Sequence, residues 1–125
     1  CWRILAPGGQ LIIRTPNIVS FASRLFGKDW KALDPPRHLV LFSPSTLRAC
    51  VQRSGFCVVR ERSYPYLASY NTQMSLFLRR QGHTRGLTDL SNTGSLARFL
   101  GQVERALLPI WRWAGNELRL VAVKS

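Results

Sequence analysis

Hydrophobic and polar positions alternate between two periods along this chain. Trp2, Ile4 and Leu5 lie at helix-like spacing and are cut off by Pro7-Gly8-Gly9, a proline and paired glycines that stop a helix and turn the chain. Gln10-Leu11-Ile12-Ile13-Arg14-Thr15 is then a nearly continuous β-branched run, which predicts a buried, parallel strand. Pro16-Asn17 ends it. Ile18, Phe21 and Leu25 repeat at helical spacing up to Gly27, with Asn17 as a candidate N-cap.

Residues 28–42 carry Pro35-Pro36 and read as a long connecting loop. Ser43-Pro44 is a strong helix start, a serine cap followed by proline at the first helical position, where its missing N–H costs nothing. Leu47, Cys50 and Val51 form the predicted inner face. Gly55 closes the helix in a left-handed cap and lets Phe56 fold back on Val51. Cys57 to Ser63 reads as a second strand. Leu67, Tyr70, Met74, Phe77 and Leu78 mark another amphipathic helix, and Gln81 to Gly94 a polar loop. Leu96, Phe99, Leu100, Val103, Leu107 and Leu108 mark a further helix, capped by Ser95 and ended near Pro109. Gly115-Asn116 is a turn into a last strand, Glu117 to Lys124. Strands separated by helices predict an α/β sheet, and three strands make a small one. Together with a first residue that is not methionine, this leads to the expectation that the chain is the later part of a larger domain.

Composition narrows the classes. The 125 residues amount to one domain, and 46% hydrophobic with 19% charged residues fit neither a disordered tail nor a fibrous repeat. No apolar run approaches a membrane span and no signal peptide opens the chain, so a soluble, cytoplasmic protein is expected. Cys1, Cys50 and Cys57 are odd in number, with no CxxC pair and no clustered histidines, which argues against a disulfide framework or a zinc site. The net charge of +12 would suit nucleic acid or an anionic membrane surface. Yet the arginines are spread from Arg3 to Arg119, and Arg79-Arg80 is the only adjacent pair. Such a spread supplies non-specific affinity and no reading mechanism. A small basic binding module is therefore the alternative reading, and no specific nucleic-acid partner is expected.

The order of motifs is more specific than any one of them. Cys1 to Ile13, with Arg3, Leu5 and Pro7-Gly8-Gly9, resembles the R-x-L-x-P-G-G-x-L segment before the fifth strand of class I S-adenosylmethionine-dependent methyltransferases, with Ala6 where lysine is usual. Thr15-Pro16-Asn17 is similar to the T-P-N that ends that strand in many members. Trp30, Asp34 to Leu39, Phe42-Ser43-Pro44, Thr46-Leu47 and Gly55-Phe56 resemble a stretch of the subfamily related to the ubiquinone-biosynthesis O-methyltransferases. The resemblance is dense over residues 1–63 and returns at Glu117 to Lys124. It implies a Rossmann-like, seven-stranded doubly wound methyltransferase sheet, of which residues 1–125 would form the C-terminal part: strands five, six and seven plus helices, with seven antiparallel between the other two. The cofactor S-adenosylmethionine would be bound mainly by an N-terminal half absent here, because no G-x-G pattern occurs in these residues. This part alone would be inactive.

In open α/β sheets ligands bind beyond the carboxyl ends of the strands. That places Thr15 and Asn17 as substrate contacts, Asn17 serving equally well as a helix cap. His38 is the candidate catalytic base for methyl transfer to oxygen, because histidine titrates where removal of an acceptor proton is useful; anchoring its two-proline loop is the competing role. Arg37 could hold an anionic substrate or pair with Asp34, and the ion pair is the simpler reading. Trp30 and Phe42 could line an aromatic pocket or pack in the core. His83 reads as solvated. Trp111 and Trp113 flank Arg112, a composition found at bilayer interfaces, which would fit a lipid-linked acceptor and peripheral membrane contact as well as a small-molecule acceptor fits the rest.

Overall fold

The computed structural model describes residues 1–34, 36–82 and 93–125. Among them three strands, β1 (Gln10–Pro16), β2 (Phe56–Tyr64) and β3 (Glu117–Lys124), form one sheet. In chain order, α1 (Phe21–Phe26) and α2 (Pro44–Arg53) lie between β1 and β2, and α3 (Ala68–Gln81) and α4 (Ser95–Leu107) between β2 and β3. The strand order is β1-β3-β2, with β3 antiparallel to both neighbours and Glu117 opposite Pro16 on one side and Tyr64 on the other. β1 and β2 therefore run the same way without touching. This is the order the resemblance implies for three neighbouring strands of the methyltransferase sheet.

The expectation of a buried, parallel β1 is corrected. Its only sheet partner among the described residues is β3, and its side chains alternate, leaving Ile12 64% exposed. The reason is that only one face of the sheet is packed. On that face Leu118, Leu120 and Ala122 of β3 meet Leu47 and Val51 of α2 and Phe56, with Leu11, Ile13 and Trp113 against them. The other face carries Arg14, Arg119 and Arg62 side by side in one row, and charged side chains keep such a face in water.

The Ser43-Pro44 start forms as predicted. Ser43 Oγ accepts from the Thr46 N–H at 3.2 Å, and the Ser43 N–H donates to Thr46 Oγ1 at 2.9 Å, a reciprocal cap. Gly55 takes φ +91 and Phe56 joins the Val51 cluster. Cys50, predicted inward, is exposed like Cys1 and Cys57, because Leu47 and Val51 alone fill the space over β3.

Other boundaries moved. Ser20, not Asn17, caps α1, its hydroxyl accepting from the Ser23 N–H. Ser95 is the first residue of α4 and Gly94 precedes it without a side-chain cap. On α3 the buried face is Ala68, Thr72, Met74 and Ser75, while Leu67 stands before the helix at φ +45. The expected apolar stripe of α4 is not its packed face either: Ala97, Gly101 and Glu104 are buried. Gly101 decides this, since a Cβ there would come within 2.9 Å of the Ser69 backbone nitrogen, and only glycine lets the two helices approach so closely. His83 and most of the predicted polar loop lie outside the described residues.

Candidate functional site

The carboxyl end of β1 is held by Asn17, which is wholly buried. Its side-chain amide donates at 2.8 Å to both the Trp113 and the Gly115 carbonyls, and its side-chain oxygen accepts from the Val19 N–H. Its backbone N–H donates to the Asn116 carbonyl, and it bridges in parallel to Phe42. Asn17 therefore stitches together the end of β1, the start of β3 and the end of the 34–42 segment. All the polar atoms of its side chain are engaged by backbone.

Beside this knot lies a cavity of about 150 Å³, walled by Arg14, Thr15, Pro16, Ala32, Tyr66, Asn71, Asn116 and Glu117. Arg14 makes a bidentate pair with Glu117, Nε to Oε1 at 3.0 Å and Nη2 to Oε2 at 2.8 Å, and its guanidinium stacks on Tyr66 at 4.7 Å. Glu117 accepts a further 2.9 Å bond from Arg119. The hydrogen bond and charge of Glu117 push the Arg14 pKa further above its ordinary value, so this cation is permanent.

Asn116 is 4% exposed and its side-chain amide nitrogen meets no hydrogen-bond partner. Behind it Glu104 is wholly buried; Oε1 accepts from the Asn116 backbone N–H at 2.8 Å and Oε2 is unpartnered. Burial pushes the Glu104 carboxyl up to about 7, only partly offset by that hydrogen bond and by the charge of Arg105. An unpaired buried donor is costly, and this one is shut off from the cavity as well as from solvent. What the cavity offers a ligand is the aromatic and cationic surface of Tyr66 and Arg14. A larger cleft of about 560 Å³ opens near Arg62, Ser63, Tyr64, Leu108 and Arg112. There Ser63 Oγ is already spent on the Arg112 carbonyl at 2.6 Å.

Of the residues singled out in the sequence, only Thr15 lines the β1 cavity. Trp30 is buried with Ala22 and Phe26, and Phe42 packs against the main core. Arg37 pairs with Asp34 at 3.3 Å, as the simpler reading had it, and His38 is exposed further along the same segment. Trp113 packs on the core with Arg112 over its ring at 4.3 Å, and Arg24 covers Trp111 at 4.8 Å. The sequence reading missed Arg14, Tyr66, Asn71, Asn116, Glu117 and Glu104. One signal was available for the last: Glu104 shares a helical line with Ala97 and Gly101, an acid among small residues beside an apolar stripe.

None of the described residues forms a glycine-rich strand-to-helix cradle. No three or more His, Cys, Asp or Glu side chains cluster as a metal site among the described residues, and no described helix is long and apolar enough to cross a membrane.

Residues 2–61, 60 of the 125, match the model of a family described as a methyltransferase domain. The matched stretch runs through β1, α1, α2 and most of β2, and it supports a methyltransferase domain of the class I type and a transferase activity. Comparison with curated proteins gives no match.

Proposed function

We propose that this chain is the acceptor side of a class I S-adenosylmethionine-dependent methyltransferase, with β1, β3 and β2 as strands five, seven and six of a seven-stranded doubly wound sheet and the cofactor held by residues outside this sequence. The observation that carries the reading is the antiparallel β3 between two strands of common direction, of which β1 and most of β2 fall within the matched residues 2–61 while β3 lies beyond them. Such a domain transfers a methyl group from a sulfonium donor, chemistry that depends mostly on alignment. The contribution of this chain is to bind and orient the acceptor at the carboxyl end of β1. There Asn116, Tyr66 and Thr15 wall the acceptor's body. His38 takes the proton of an acceptor hydroxyl, reaching the site from the 34–42 segment, whose far end is tied to Asn17 through Phe42. The acceptor is a small or lipid-linked hydroxyl compound, and the protein acts in the cytoplasm.

The test uses the full-length protein and methyl-labelled S-adenosylmethionine with a panel of phenols and polyprenylated phenols. Label in the acceptor, reduced at least about tenfold by Asn116→Ala with cofactor affinity kept within about twofold, supports the reading. Failure of the full-length protein to bind the cofactor by calorimetry overturns it.

A further inference from the structure

α4 is built with three faces, and one of them is only partly covered among the described residues, with Val103 and Leu107 half-buried and Leu96 and Phe99 exposed. Successive residues turn by about 100°, so Ala97, Gly101 and Glu104 share the line that packs on α3. Leu96, Phe99, Val103 and Leu107 share a second line, roughly a third of a turn away. On this second line Leu96 is 48% and Phe99 63% exposed, and Ile110, in the turn that follows, is 89% exposed. Arg98 and Arg105 occupy the third, polar face and are exposed, and Arg80 of α3 shares a cavity wall with Leu96. The only acid of the helix, Glu104, is turned inward. This distribution of an apolar stripe and arginines on the polar side is the composition of a helix that lies in a bilayer interface.

Charge selects the occupant. Among the described residues the acids other than Glu104 are already paired: Asp29 with Arg79, Asp34 with Lys31 and Arg37, Glu61 with Arg48, and Glu117 with Arg14 and Arg119. Among the described residues, therefore, no unpaired acid offsets Arg80, Arg98 and Arg105 around α4, in a chain of net +12. A second copy carrying the same charge would be repelled, whereas a surface rich in anionic headgroups attracts each nearby arginine. The tryptophans are not the contact, since Trp113 is packed on the core and Arg24 lies over Trp111.

We propose that α4 docks this protein on an anionic membrane, with Leu96, Phe99 and Ile110 entering the headgroup boundary and the arginines of α4 and Arg80 held by its charge. The inference stands on this surface alone and does not depend on methyl transfer.

Flotation of the full-length protein with vesicles tests it, using phosphatidylcholine with about 30% phosphatidylglycerol against pure phosphatidylcholine. The protein rises with the anionic vesicles at low salt and binds the neutral ones at least about tenfold more weakly. Phe99→Asp with Ile110→Asp abolishes flotation while the circular dichroism melt is unchanged. Should that double variant not fold, Ile110→Ser alone, at the most exposed position, lowers vesicle binding about threefold. Wild-type protein that stays in the soluble fraction at low salt overturns the proposal. So does flotation that persists undiminished in the folded double variant or in Ile110→Ser. Loss of flotation with cofactor binding intact separates this surface from the reading of the active site.

Discussion

Glu104 and Asn116 are joined by a single 2.8 Å hydrogen bond, from the Asn116 backbone N–H to one carboxylate oxygen, while the second oxygen stays unpartnered in a wholly buried site. Desolvation holds the folded-state pKa near 7 against an ordinary value of 4.5. The folded protein thus keeps its proton where the unfolded chain has released it. Stability from this group is fully present below about pH 4.5, falls as pH rises, and is lost above about pH 7. The expected loss is about 3 kcal/mol. Glu104→Gln should remove it, so that the difference between variant and wild type grows from pH 5 to pH 8 in about that amount. Urea unfolding at both pH values measures this, and a difference that does not change with pH sinks the assignment.

Asn17→Ala should cost about 2–3 kcal/mol, because it leaves two buried carbonyls and one N–H without their side-chain partner. A melting temperature unchanged from wild type would show that Asn17 is free to act as a ligand contact instead.

At Gly115 an added Cβ would stand 2.6 Å from the Tyr64 backbone, with no flexible side chain to yield. Gly115→Ala should therefore separate β3 from the end of β2 and destabilise by about 3 kcal/mol. It should also free the Ser63 hydroxyl that now accepts from the Gly115 N–H at 3.1 Å. Thermal unfolding followed by near-ultraviolet circular dichroism reads the first effect.

His38 is exposed, so its removal should leave the melt unchanged. In the full-length protein His38→Ala is expected to lower methyl transfer roughly tenfold with cofactor affinity within about twofold. Unchanged turnover removes His38 from the site.

The sequence by itself determined the elements whose cause is local. Ser43 and Pro44 start α2 because a cap and a fixed φ act within one turn, and Cys57 to Ser63, opening on Val58-Val59, and the Val- and Leu-rich Glu117 to Lys124 are strands wherever they pair. The resemblance to a methyltransferase domain was also legible, in short motifs whose order can be read along the chain and most of which fall within the matched residues 2–61. What packs on what was not. The periodicity of α4 marks Leu96 and Phe99 as inward, but Gly101 against Ser69 turns a line of small residues and Glu104 to the interior, a choice made by helix–helix approach distance. Likewise Asn17 looks like a cap until Trp113 and Gly115, some 100 residues later, arrive to accept from it. The cavity at the end of β1 follows the same rule: its walls come from four separated stretches, and only the tertiary structure brings Arg14, Tyr66 and Asn116 to one place, because burial and hydrogen bonding act through space and not along the chain.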